Sequence, residues 1–458
     1  MFRVLGQTGS ECTGLTRRSF VQAGMLGAGG LGLADFFRLQ AAASPSPSPP
    51  GSGQPDRSVI LVWLSGGPGH METWDPKPDA PAQYRGPLGA IRTTLPGVQV
   101  GELLPCQARL MQHLAILRTV NHGSGDHTKS NHWMLTGYEG PAFNAPDFKV
   151  QRRPSLGSVA ARLRGPNRPG MPPYVATPHL RGGTDNFFHY AAYLGGGANP
   201  FNVESDPNLP TFRVRNLSYA TELTLARLED RRHLVESMDQ VRRSLDVRAA
   251  DMSEHYQRAF GMMTSRDVAH AFDISQEPAA VRDRYGRHTF GQSALLARRL
   301  VESGVTFVTV NCVPWDHHGT PPQLQTEVGA RQLIPPLDRA VGALIDDLRQ
   351  RGLYEKTLVV VMGEFGRTPR MNRDAGRDHW GQAFSVLMGC GCMRMGQVIG
   401  RSSPRGEYVT DRPITPQDVA ATVFHHLGID GRNVTFMDAL NRPVHLLENG
   451  RAIRELVG

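Results

Sequence analysis

Cysteine is scarce in this chain, five residues in 458. That count argues against a disulfide-stapled scaffold, which needs far denser pairing in a much shorter chain. One of the five, Cys12, falls in the N-terminal segment, which leaves Cys106, Cys312, Cys390 and Cys392. The C-G-C of 390–392 has no second Cys or His pair at zinc-finger spacing, so it reads as small core residues rather than a zinc knuckle. Long apolar runs are also missing, since nothing approaches the ~20 apolar residues that a membrane-spanning helix needs. Nor is there a block of Lys and Arg of the kind that tracks a phosphate backbone, which argues against nucleic acid as a partner.

What the chain does have begins with a leader. "LTRRSF" (15–20) sets paired arginines before the weakly apolar, Gly-rich "VQAGMLGAGGLGLA" (21–34), and "AAA" (41–43) offers a small-residue cleavage site. The pattern predicts a twin-arginine signal peptide over 1–43, read by the twin-arginine export machinery, and a mature protein in the periplasm or outside the cell. "SPSPSPPGSGQP" (44–55) is a Pro/Ser linker too poor in apolar residues to build a core. Of the net charge of +8, the leader carries +2. The remaining +6 permits anionic ligands without naming one.

From residue 56 to 458 the pattern is that of one α/β domain. Continuous apolar runs at 58–64, 114–120, 305–313, 357–362 and 384–389 read as buried strands, and amphipathic stretches at 155–165, 289–304, 333–352 and 415–428 read as helices. Fully apolar strands separated by such helices predict a mainly parallel central sheet flanked by helices on both faces. The polar stretch 213–275 has a helical rhythm and mixed charge, and is predicted to be a helical insertion or cap.

In an open α/β sheet, ligands bind where the carboxyl ends of the strands meet their loops. Four runs here are followed by clusters of His and carboxylates: "SGGPGHMETWD" after the first, "NHGSGDHTKSNHW" after 114–120, "WDHHG" after 305–313 and "GEFGRTPRMNRDAGRDHW" after 357–362. Asp316, His318, Glu364, Asp378 and His379 thus form a candidate ligand set for one divalent metal ion, and mixed His and carboxylate donors suit zinc, manganese or iron better than calcium. The plainer alternative is that these groups hydrogen-bond the loops to one another. Arg367 has two readings, a planar clamp for phosphate or sulfate oxygens and a salt bridge to Glu364 or Asp378. The glycines of "SGGPGH" lack the spacing and the Lys of a P-loop, and are expected to let the backbone approach another group closely.

The leader, "SGGPGHMETWDPKP", "MLTGY", "YGRHTFGQSALLARRLVESGVTFV", "GEFGRTP" and "GRDHW" together resemble a secreted bacterial domain-of-unknown-function family. That family is sulfatase-like and lies within the alkaline phosphatase superfamily. The resemblance covers nearly the whole mature chain and implies an ester hydrolase site with one or two metal ions. It also exposes departures. "HTKSNHWMLTG" (127–137) is similar to the sulfatase nucleophile motif, yet His127 stands at the nucleophile position and Asn131 at the arginine position, which excludes a formylglycine. Ser65 replaces a metal-binding Asp, and Glu364-Phe365 replaces an Asp-His pair.

Two functions are consistent with these residues. One is a metal-assisted hydrolase of sulfate or phosphate esters acting on an anionic small molecule or glycan ester, with Ser124 and Thr128 as available hydroxyl nucleophiles, His127 as base or ligand, and Arg367 stabilising charge on the transferring group. The other is a non-catalytic envelope or glycan-binding protein on a degenerate hydrolase fold.

Overall fold

The structure is a computed structural model that describes residues 56–178, 188–214, 217, 261–262, 265–312, 315–321 and 324–458. The predicted leader and linker, and most of the predicted 213–275 insertion, lie outside the described residues.

Eight strands form the central sheet: β1 (Ser58–Leu64), β2 (Ala115–Val120), β3 (Tyr174–Thr177), β4 (Phe201–Asn202), β5 (Phe307–Cys312), β6 (Thr357–Met362), β9 (Phe384–Gly389) and β10 (Gln397–Ile399). The two labels between them, β7 (Gly366–Arg367) and β8 (His379–Trp380), belong to a small antiparallel ribbon just past the sheet's edge. Across the sheet the order is β10-β2-β9-β6-β1-β5-β3-β4. β1 runs parallel to both β5 and β6, β3 continues that direction, and β9 alone runs against its neighbours. A parallel sheet must be covered on both faces, and β1 shows how its sequence satisfies this. With side chains alternating at a period of two, Ile60, Val62 and Leu64 join one core cluster, while Val59, Leu61 and Trp63 join the other.

The first core is closed by α3 (Thr289–Glu302) and α4 (Thr326–Gln350), through Leu295, Leu296, Leu300, Leu337, Leu344 and Leu348. The second is closed by α1 (His127–Thr136), α2 (Leu156–Arg164) and α5 (Pro416–His426), through Met134, Leu135, Val159, Val419, Val423 and Phe424. The three helices of the second core start where their sequence caps them. Asp126 accepts from Lys129 N at the head of α1, Ser155 from Ser158 N at α2, and Thr415 with Asp418 forms a reciprocal capping box at α5. The mainly parallel sheet and its two helical layers are those the apolar runs predict.

Among the described residues, no helix is long and apolar enough to cross a membrane. A buried charge network ties α3 to its neighbours. Arg298, with no exposed surface, pairs with Glu277 at 2.7 Å and Asp347 at 2.9 Å, and Tyr285 donates to Asp347 at 3.0 Å.

Candidate functional site

Strands β1, β2, β5 and β6 point the same way, so the loops after them open onto one edge of the sheet. The closing of these loops depends on two glycines. Gly66 has φ +104°, and a Cβ there would lie 2.9 Å from the Trp315 backbone; Gly67 has φ +83°, and a Cβ there would lie 2.5 Å from the Phe365 ring. Both positions are left-handed and crowded, which only glycine tolerates. The loops after β1, β5 and β6 therefore interlock at backbone distance.

Three donors from three of these loops meet there. His127 is the first residue of α1, Asp316 follows β5, and His379 lies on β8, which the ribbon to β7 folds back beneath Gly125. His379 Nε2 is 3.2 Å from Asp316 Oδ1, His127 Nε2 is 3.7 Å from Asp316 Oδ2, and one ligand atom from each residue lies within 4.8 Å of the others. The remaining ring nitrogens are anchored. His379 Nδ1 donates to the Gly125 carbonyl at 2.9 Å, and His127 Nδ1 donates to Glu364 Oε1 at 2.9 Å. A carbonyl and an ionised carboxylate only accept, so each bond places a proton on Nδ1 and leaves Nε2 facing inward, where it donates to Asp316 while protonated and offers a lone pair once it is not.

Glu364 has no exposed surface and also accepts from Gly66 N at 2.8 Å. It therefore stands behind His127 and orients it, rather than facing the centre as the direct ligand the sequence suggested. Asp378 occupies the same relation to His318, whose Nδ1 it holds at 2.9 Å while His318 Nε2 lies 3.0 Å from Asp316 Oδ1 and 2.9 Å from His379 Nε2. Hydrogen bonding to Asp316, opposed by burial and helped by Asp378, raises the His318 pKa. Burial lowers that of His379, against its hydrogen bond to the Asp316 carboxylate. Burial also pushes the Asp316 carboxyl up, but the bonds from His127, His318 and His379 and the Arg367 charge outweigh it and hold Asp316 well below the usual carboxylate range.

Two further expectations need correction. Arg367 is 2% exposed, and its salt bridge is to Asp316, at 2.5 Å, not to Glu364 or Asp378. Its N–H groups also donate to the carbonyls of Gly67 at 2.9 Å, Trp315 at 2.9 Å, Arg377 at 3.2 Å and Gly66. A guanidinium held this way braces the loops and leaves no fork to clamp an incoming anion. The Thr128 hydroxyl, fully buried, donates to Asp126 at 2.8 Å and Pro141 at 3.0 Å, so it stands inside α1's capping turn instead of presenting a nucleophile. Ser124 is half-buried and accepts from Asp126 N at 3.2 Å.

Ser65 Oγ, at the end of β1, is buried without a hydrogen-bond partner among the described residues. His70, Glu72 and Asp75 of the first cluster are turned elsewhere. Glu72 pairs with Arg377 at 2.8 Å, Asp75 with Lys77 at 2.9 Å, and His70 Nε2 is 3.0 Å from the Gly406 carbonyl. His127 opens a helix within the polar cluster 121–133, and Asp126, three residues before Lys129, is the capping signal for it in the sequence.

Two cavities flank the cluster. One, of about 460 Å³, is lined by Ser124, Asp126, Lys129 and Glu139 among others. The other, of about 510 Å³, is lined by Tyr84, Arg370, Asn372, Arg373, Asp378 and Trp380 among others.

Fold and site together define an α/β protein with a His/carboxylate centre at the carboxyl edge of a mainly parallel sheet. Over residues 56–457 the chain matches the family described as Protein of unknown function (DUF1501), and it belongs to that family. No curated protein is matched. Similar solved structures include the PsFucS1 sulfatase from Pseudoalteromonas sp., with 14% identity, covering 82% of this chain and 68% of that one at a TM-score of 0.38. The phosphonate monoester hydrolase SpPMH from Silicibacter pomeroyi has 14% identity, 87% and 76% coverage and a TM-score of 0.39. The lipoteichoic acid synthase LtaP from Listeria monocytogenes has 10% identity, 82% and 72% coverage and a TM-score of 0.39.

Proposed function

We propose that this protein is an exported, metal-assisted hydrolase of sulfate or phosphate monoesters, working without a formylglycine nucleophile. The observation that carries the reading is the convergence of His127 Nε2, Asp316 and His379 Nε2, with each imidazole fixed from behind by an oxygen acceptor. Two imidazoles and one carboxylate with open positions form a donor set for zinc, manganese or iron. The separations of 3.2 and 3.7 Å bracket the roughly 3.4 Å between ligands of a tetrahedral ion at about 2.05 Å. The buried Ser65 hydroxyl at the end of β1 is a further polar group without a hydrogen-bond partner among the described residues.

A bound cation would supply Lewis-acid polarisation of the ester oxygen and a more acidic water. The chain's own groups do the rest. Glu364 fixes the His127 tautomer and orientation, and Arg367 holds Asp316 ionised while locking the loops after β1 and β5. With the Thr128 hydroxyl committed, attack falls to water or Ser124. The cavity with Tyr84 and Trp380 beside Arg370 and Arg373 offers aromatic faces and exposed cations for an anionic sugar ester. Residues 1–43 route the chain through the twin-arginine machinery to the periplasm or beyond, 44–55 form a linker, and 56–458 form the working domain.

The commitment of Thr128 and Arg367 also favours a second reading, a glycan-binding protein that retains the centre without turnover. Assays with aryl sulfate and aryl phosphate monoesters separate the two. Chelator-sensitive hydrolysis that is lost in His127→Ala supports the enzyme. Absence of turnover by metal-loaded protein, with sulfated or phosphorylated oligosaccharide still bound, would replace it with the binding protein.

A further inference from the structure

The opposite edge of the sheet holds a second cluster that the function above does not use. Because β9 runs against its neighbours, its carboxyl end lies where the parallel strands begin, and Cys390 and Cys392 follow it directly. His426, the last residue of α5, comes to the same place from 34 residues further along the chain. Its Nδ1 is 3.4 Å from Cys392 Sγ and 3.9 Å from Cys390 Sγ, and the two sulfurs are 2.8 Å apart.

The imidazole is set for a ligand role. His426 Nε2 donates at 3.0 Å to the carbonyl of Ser58, the first residue of β1. A carbonyl only accepts, so the proton sits on Nε2 and the lone pair on Nδ1 faces both sulfurs. Sulfur and nitrogen ligands of a tetrahedral zinc ion lie about 3.6 Å apart and two sulfurs about 3.8 Å apart. The two sulfur–nitrogen separations bracket the first figure, and the sulfur–sulfur separation needs to widen by about 1 Å. Cys392 is exposed and can move outward, whereas Cys390 is buried and fixed. A covalent S–S bond would need the sulfurs at about 2.05 Å instead.

We propose that Cys390, Cys392 and His426 bind one soft or borderline metal ion, zinc in the first instance, at a site separate from the carboxyl-edge centre. Its fourth position faces solvent beside Cys392. Such an ion would join the end of β9, the end of α5 and, through His426, the start of β1, and so clip the first strand to the second core. C-G-C alone gave no zinc-finger spacing; the third ligand is supplied by tertiary structure.

The test uses the full chain, purified reduced and loaded with Zn²⁺ or Co²⁺ alone. With cobalt, a thiolate-to-metal charge-transfer band is expected in wild type, retained in Asp316→Asn, and lost in both Cys392→Ser and His426→Gln. With zinc, labelling of Cys392 by a thiol reagent is expected to slow at least tenfold, and chelation to restore it. Absence of the cobalt–sulfur band in folded wild type would overturn the proposal, as would a Cys390–Cys392 disulfide, seen as a mass deficit of two hydrogens in the reduced-and-refolded protein. A band retained in Asp316→Asn also keeps this result independent of whether the carboxyl-edge centre holds a metal.

Discussion

Replacing Asp316 by Ala is expected to weaken the fold itself, quite apart from any metal. Asp316 Oδ1 accepts from Arg367 Nη2 at 2.5 Å, and Arg367 is 2% exposed. Removing one partner of a buried ion pair costs about 3–5 kcal/mol, because the other charge stays buried and unmatched. Two features reduce that here. The Asp316 side chain is 27% exposed, so solvent screens part of the pair, and the backbone carbonyls of Gly66, Gly67, Trp315 and Arg377 continue to accept from the guanidinium. We therefore expect Asp316→Ala to lose about 2–3 kcal/mol, and Asp316→Asn, which keeps an acceptor, about 1–2 kcal/mol. The assay is urea unfolding of wild type and both variants with chelator present throughout, so that lost metal binding does not enter the comparison. Adding Arg367→Met to Asp316→Ala should recover much of the loss, since it removes the stranded charge. Stability of Asp316→Ala within about 0.5 kcal/mol of wild type would refute the reasoning and leave Arg367 indifferent to its partner.

Three other outcomes follow from the same geometry. Arg298→Met removes one cation shared by the buried Glu277 and Asp347, which keep Arg299 at 2.6 Å and Arg351 at 2.9 Å respectively, and should cost about 1–3 kcal/mol in chemical unfolding at neutral pH, with metal content of the folded protein unchanged. Gly67→Ala puts a Cβ against the Phe365 ring at φ +83° and should cost about 1–3 kcal/mol in thermal or urea unfolding, with weaker metal retention because Phe365 adjoins both His127 and His379. The pKa of His318 is raised by folding, so in chelator its advantage over His318→Gln should be complete below its ordinary value of 6.5 and disappear as pH rises through the folded value. Paired unfolding curves across that range check the sign.

How much of this was legible in the sequence depended on whether a feature is local. The strands 58–64, 357–362 and 384–389 carry the bounds read from their apolar runs, because a strand buried on both faces is apolar at every position. Edge strands β4 and β10 are short and half-buried, and their residues carry no such run. Helix α4 begins at Thr326, ahead of the predicted 333, and passes through Pro335 and Pro336. Apolar packing of Ala330, Ile334 and Leu337 against the first core overrides the breaker signal there.

At the candidate site, the residue types were legible from the polar clusters after the strands, but their roles were not. That Glu364 and Asp378 stand behind imidazoles, and that Arg367 faces Asp316 and four carbonyls, follows from how the glycine loops interlock. Spacing along one chain does not contain that information. His426 is the clearest instance, since nothing near it in sequence points to the cysteines it faces.

The central claim is tested most directly by elemental analysis of folded protein in a Cys392→Ser background, which restricts the count to the carboxyl edge. The account predicts about one equivalent of zinc, manganese or iron per chain in that background, lost on adding His379→Ala. Equal metal content with and without His379→Ala would contradict it.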